Sequence, residues 1–238
     1  MWIGTEDAGL NKLNLLTKQI THYKPTGEPG SIANSNIHGL LVVKDELWIG
    51  TFEHGLDVMD ITTGKVKKHY AAGPNPNDLK SDFIVCLLLT KKGEIYVGSS
   101  NGLYRYNNER DNFTPIKGIA EGTFISCLLE DEEGIIWVGT HDSGIFFYNP
   151  VTAHIGNLKN EPGNKNSLTT NSINAVYQDS FYSLWFATDG GGLCQLTDDK
   201  KQFKRYTTKD GFISNFVFKV LEDSKRTLWI TTSRGLVN

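Results

Sequence analysis

The chain is poor in cysteine and methionine and has no surplus of basic charge. Its three cysteines, Cys86, Cys127 and Cys194, are an odd set that describes no disulfide framework and leaves the redox compartment open. Lysine and arginine number 24 against 27 acidic residues, for a net charge of −3. That balance offers no basic stripe for nucleic acid and no charge run for a membrane surface. No apolar run approaches the ~18 residues that span a bilayer. Met1 is followed at once by WIGTEDAG, with neither a basic start nor an apolar stretch, so no secretory signal is read there. No histidine or cysteine spacing of a metal site accompanies the cysteines, and neither a metal nor another cofactor is expected.

What the chain does have is a phrase that returns. It reads MWIGTEDAGL from Met1, LWIGTFEHGL from Leu47, IYVGSSNGL from Ile95, IWVGTHDSGI from Ile136, LWFATDGGGL from Leu184 and LWITTSRGL from Leu228. Its aromatic slot holds Trp2, Trp48, Tyr96, Trp137, Trp185 and Trp229, so all 5 tryptophans occupy it. The slot recurs at steps of 46, 48, 41, 48 and 44 residues, which is the mark of a repeat architecture.

Within one repeat, SINAVYQ (172–178), SLWFAT (183–188), LCQLT (193–197) and QFKRYT (202–207) are short β-rich runs. Turn residues separate them, including DDKK at 198–201, and no window carries a helical period. The pattern predicts a four-stranded antiparallel meander, with strands named a to d in chain order. A sheet with apolar residues on both faces needs a neighbour on each side. Repeats of this length solve that by radial stacking, so an all-β β-propeller of four-stranded antiparallel blades is expected. The aromatic of strand b then fills the space between sheets. Gly4, Gly50, Gly98 and Gly139 mark close approach there. Gly39, Cys86, Cys127 and Ala175 share a slot on strand a, where small residues suit crowding near the axis.

The consensus S-L-x-x-N-x-I-x-x-[LV]-x-x-D-x-x-x-x-L-W-[IV]-G-T-x-x-G-G-L resembles the two-component regulator propeller repeat. Residues 167–196, SLTTNSINAVYQDSFYSLWFATDGGGLCQL, match it almost slot for slot, and weaker copies cover nearly the whole chain. The resemblance implies the extracytoplasmic, periplasmic sensor of a hybrid two-component system. In that family it implies recognition of glycans, with the signal passed through a β-sandwich domain and a membrane helix to a histidine kinase. The chain itself is read as no enzyme. It also implies closed seven-bladed rings. Here strands b to d lie at 2–23, full units at about 31–70, 78–116, 123–155 and 167–206, and strands a to c at 212–238. That pattern reads as one repeat domain over 1–238, an incomplete arc of about five to six blades. A fragment of this kind, without leader, membrane helix or kinase, would leave blade edges open to self-association.

A ligand is expected on the face that carries the b–c turns and the long d–a loops. That face offers Phe52, Glu53, His54, His141, Asp142, Asp189 and Arg234. Phe83, Phe124 and Phe216 enter the inner strands beside it. Aromatic faces with carboxylates, amides and a guanidinium suit an oligosaccharide or another small polar ligand. The mixed charge argues against a strongly anionic one. Two other readings use the same face: an interaction platform for protein loops, and a propeller lyase. Catalysis would need a converging set of groups. Only the adjacent pairs Glu53–His54 and His141–Asp142 hint at one, and adjacent residues rarely face each other, so no catalytic residue is assigned.

Overall fold

The computed structural model describes residues 1–197 and 200–238, so the turn expected at 198–201 falls partly outside the described residues, at 198 and 199. Among the described residues there is no α-helix, only a 3-10 turn at Thr208–Asp210. None is long and apolar enough to cross a membrane.

The chain forms two compact units, residues 1–122 and 123–238. The first holds three antiparallel sheets in chain order. They are β1 (Trp2–Gly4), β2 (Leu10–Leu13) and β3 (Ile20–Tyr23); β4 (Ile37–Val43), β5 (Glu46–Thr51), β6 (Leu56–Asp60) and β7 (Lys65–Tyr70); and β8 (Ile84–Leu89), β9 (Ile95–Ser99), β10 (Gly102–Asn107) and β11 (Asn112–Pro115). The second unit holds β12 (Ile125–Glu130), β13 (Ile136–Thr140), β14 (Ile145–Asn149) and β15 (His154–Leu158). β16 (Ile173–Gln178), β17 (Leu184–Thr188), β18 (Gly192–Leu196) and β19 (Phe203–Tyr206) follow, then β20 (Val217–Glu222), β21 (Leu228–Thr232) and β22 (Gly235–Val237). Each four-stranded sheet is a meander of propeller-blade type, and β16–β19 lie within one residue of the runs expected for strands a to d.

Alternation along strand b explains why no sheet stands alone. On β5, Leu47 and Ile49 pack with Leu10, Ile32, Ile37 and Met59 toward the preceding sheet. Trp48 points the other way and packs with Ile84, Val97, Tyr104 and Phe113. In the second unit Trp137 packs with Ile173, Leu184 and Phe186 of the following sheet. Trp48 and Trp137 are each 2% exposed and Tyr96 is fully buried, while Trp2, Trp185 and Trp229 are half-buried. The following glycine permits this closeness: a Cβ on Gly50 would lie 2.8 Å from the carbonyl oxygen of Ile84 on the neighbouring sheet. At the b–c turn, Gly55 has φ 73°, where a side chain is strained.

Hydrogen bonds fix the ends of strand b. Thr51, Thr140 and Thr188 donate their hydroxyls to the carbonyls of Gly55, Gly144 and Gly192 at 2.8, 2.8 and 2.7 Å. At the opposite end, Asp131 accepts from the amides of Glu133 and Ile135 at 2.9 Å, and its other oxygen accepts from Trp137 Nε1 at 2.8 Å. Asp179 and Asp223 repeat the arrangement, receiving Trp185 and Trp229 Nε1 at 2.8 Å. One carboxylate therefore closes the a–b turn and satisfies a tryptophan that would otherwise bury its donor.

Cys194 is buried, and Cys86 and Cys127 are half-buried. Desolvation pushes the Cys127 thiol up to about 11. Two substitutions test the strand-b packing. Asp131→Ala should lower stability by about 1–3 kcal/mol, because it leaves the indole and two amides unmet. Trp137→Ala should lower it by roughly 3–5 kcal/mol. Shifts in the urea midpoint read both, and a midpoint unmoved by Asp131→Ala would show that the carboxylate is not structural.

Candidate functional site

Four b–c turns are each tied by a backbone hydrogen bond to the loop that enters the next sheet. Gly9 N–H donates to Ser35 O at 2.9 Å and Gly55 N–H to Asp82 O at 2.7 Å in the first unit. In the second, Gly144 N–H donates to Asn171 O at 2.9 Å and Gly192 N–H to Asn215 O at 2.7 Å. The b–c turns and d–a loops thus share one face within each unit, as their chain order implies.

The d–a loops are braced internally. In loop 24–36, the amide of Ala33 donates at 2.7 Å to Asp57, whose other oxygen meets His69 Nδ1 at 2.8 Å. Asp57 is 1% exposed, and burial raises its pKa against the lowering pull of the Ala33 amide and His69. In loop 71–82, Lys80 donates to the carbonyls of Gly73 and Asn75, and Asp82 accepts the amide of Ala72 at 2.6 Å. These loops are thus held in shape by their own hydrogen bonds.

A β-bulge opens every strand a that pairs with a strand b. The register slips between Ile37 and Gly39, Ile84 and Cys86, Ile125 and Cys127, Ile173 and Ala175, and Val217 and Lys219. The skipped residues are His38, Val85, Ser126, Asn174 and Phe218. A bulge re-aims its side chain, and the chain uses this in two ways. In the second unit, Ser126 donates to Ile173 O and Asn174 donates to Val217 O at 2.8 Å, tying inner strands together. In the first unit the bulge residues are His38 and Val85, and His38 joins an aromatic cluster.

That cluster contains two of the expected site residues. The rings of Phe52 and Phe83 meet edge to face at 4.8 Å, and His38 lies 4.8 Å from Phe83 and 6.1 Å from Phe52. Phe52 is 37% exposed, so the cluster presents ring surface to solvent. Burial lowers the pKa of His38, against the pull of Glu6. His54, in the same turn, does not face Glu53. Its Nδ1 meets the Asn34 amide at 2.7 Å. Glu53 is exposed at φ 55°.

In the second unit Phe124 and His141 sit with ring centroids 5.8 Å apart. Asp142 accepts from Ser143 Oγ at 2.9 Å. Asp189 is exposed and donates its amide to Ser172 O. Phe216 is 49% exposed, with its ring beside Gly190. Arg234 is exposed at its turn, and its amide donates to Thr232. The expected residues therefore gather as Phe52 with Phe83, and Phe124 with His141, while Glu53, Asp142 and Arg234 stand apart from those rings. His38 and Asn34 were missed. A bulge leaves no mark in hydrophobic alternation, and His38 sits in a slot otherwise filled by Val, Ser, Asn and Phe. Among the described residues no group of His, Cys, Asp and Glu is placed to hold a metal ion.

Comparison with known proteins fits this architecture. The model of the two component regulator propeller family matches residues 120–142 and 167–190. Histidine kinase P4 of Formosa agariphila is 26% identical over 285 aligned residues, which take in 100% of this chain and 18% of that protein. The extracellular domain of a hybrid two-component system from B. thetaiotaomicron is similar in fold, with a TM-score of 0.80 at 23% identity over 99% of this chain and 31% of its own. PorZ, a surface component of the type-IX secretion system of Porphyromonas gingivalis, has a TM-score of 0.75 at 18% identity over 99% of this chain and 36% of its own. The chain thus spans a third or so of these solved structures and less of the kinase.

The lowered pKa of His38 has a stability consequence. A histidine that binds its proton more weakly when folded contributes fully above its ordinary value, and that contribution is lost as pH falls from there through the lower folded-state value. His38→Phe should therefore flatten the fall in urea midpoint between about pH 7 and pH 5. An unchanged slope would place the imidazole in free solvent.

Proposed function

Because this chain is built on the two-component regulator propeller repeat, we propose that it is the ligand-sensing part of a sensor histidine kinase, held outside the cytoplasm. We take its ligand to be a neutral or weakly charged oligosaccharide, bound across the b–c turn and d–a loop face. The single observation that carries the ligand reading is the His38–Phe52–Phe83 cluster, exposed beside braced loops. Sugars present C–H faces that pack on aromatic rings, while their hydroxyls seek amides, carboxylates and imidazoles. Asn34, Glu6 and Glu53 stand on that side of the first unit and supply such groups. The Phe124–His141 pair offers a similar surface in the second unit. Acid and base are interspersed there rather than arranged as a cationic clamp, which favours an uncharged sugar over a sulfated one.

The experiment is a calorimetric titration of this chain, and of the whole kinase that carries it, with neutral and sulfated oligosaccharides. Neutral glycans should bind. Phe52→Ala should weaken the best of them at least about tenfold, the loss expected for removing a stacking platform. Affinity that survives Phe52→Ala, Phe83→Ala and His141→Ala alike would overturn the placement. Preference for a sulfated glycan would overturn the ligand class.

A further inference from the structure

The opposite ends of the same strands carry a second feature. A cavity of about 640 Å³ opens between the β4–β7 and β8–β11 sheets, lined by the β4–β5 hairpin and by Trp48, Tyr70 and Tyr106. Its volume lies within the range of small-molecule sites. Short polar turns gave no sign of it in the sequence. Its aromatic wall is close-set: Tyr106 meets Trp48 edge-on at 4.8 Å, and Tyr70 lies 6.3 Å from it.

One atom in that wall is anomalous. Trp48 is 2% exposed, and its Nε1 has no hydrogen-bond partner. The indoles of Trp137, Trp185 and Trp229 each donate to an aspartate six residues earlier. The residue six before Trp48 is Val42, and the hairpin is a tight one in which Val43 pairs with Glu46. The acceptor has been lost while the donor is kept, and a buried donor left unmet is costly.

The hairpin that removes the aspartate brings charges of both signs in its place. Lys44 and Asp45 are exposed at its tip, line the cavity and form no ion pair among the described residues. Behind them Glu46 is 2.9 Å from Lys67, which also lies 3.8 Å from Asp60. A dianion would meet Asp45, Glu46, Asp60 and Glu94, and a dication would meet Lys44, Lys67 and Lys68. A ligand with one charge of each sign meets a partner for both.

We propose that this cavity binds a small zwitterion of the free amino-acid or short-peptide class. Its carboxylate takes Lys44 and the Trp48 indole N–H, and its ammonium takes Asp45 and Glu46. This does not rest on the sugar reading, which concerns the other end of the strands. Nε1 is covered from solvent, so binding shifts the side chains above it and the indole proton reports the event.

The test is a nitrogen–proton correlation spectrum of the labelled full chain, which has 5 tryptophans. The Trp48 indole resonance is assigned through Trp48→Phe. Triglycine should move that resonance saturably. The same peptide acetylated and amidated, and so uncharged, should not. Lys44→Gln and Asp45→Asn, both at an exposed hairpin tip and harmless to folding, should each weaken triglycine at least about fivefold. The proposal is overturned if triglycine up to about 10 mM leaves the Trp48 resonance in place. It is equally overturned if the capped peptide moves it as far, or if maltose moves it instead, which would make the cavity a polyol site.

Discussion

Everything in this chain depends on one contact: the strand-b aromatic packed against the next sheet. A four-stranded antiparallel sheet that is apolar on both faces has no stable existence alone, and the aromatic turns that liability into cohesion. The contact demands its surroundings. Close approach requires Gly50 where a Cβ would strike Ile84. Burial of an indole requires an acceptor, which Asp131, Asp179 and Asp223 provide while closing the turn before the strand. The threonine at the far end closes the next turn on a glycine carbonyl. Slots that look like separate conserved letters of a phrase are the parts of one packing unit.

A scaffold fixed in this way frees its turns. The b–c turns and d–a loops are held to each other by backbone hydrogen bonds, so their side chains vary without loosening the sheets. The bulge at the start of strand a serves the same end. It gives each repeat one side chain outside the sheet's alternation, used by Ser126 and Asn174 for cohesion and by His38 to join Phe52 and Phe83. Of the adjacent His and acid pairs, His54 meets Asn34 and Asp142 accepts from Ser143.

Departures from the repeat are as informative as agreement with it. The second repeat lacks the aspartate, and its tryptophan donor is left unmet beside a cavity lined with both charge signs. The third replaces tryptophan with Tyr96, fully buried, with its hydroxyl 3.4 Å from Glu94. The two departures differ in outcome: the Tyr96 slot is filled, whereas the Trp48 slot borders open space.

The sequence by itself determined the fold class and the strand order within each sheet, and it marked the aromatic slot of which Trp48, Tyr96 and Trp137 are core. Period-2 alternation, a tryptophan at a fixed interval and turn glycines are local or periodic signals, and they need no knowledge of which residues meet in space. The side on which b–c turns and d–a loops lie also follows, because strand direction alternates in a meander. Only the tertiary structure decided which residues of that side meet. Phe52 and Phe83 were readable as neighbours of the site from their slots, but their contact with His38 depends on a bulge, and a bulge depends on how one strand registers against another. The same holds for the Trp48 cavity. Val42 was visible in the chain as a missing aspartate, yet the unmet donor and the charges beside it arise from a hairpin shape and from side chains of two sheets, which no linear pattern encodes.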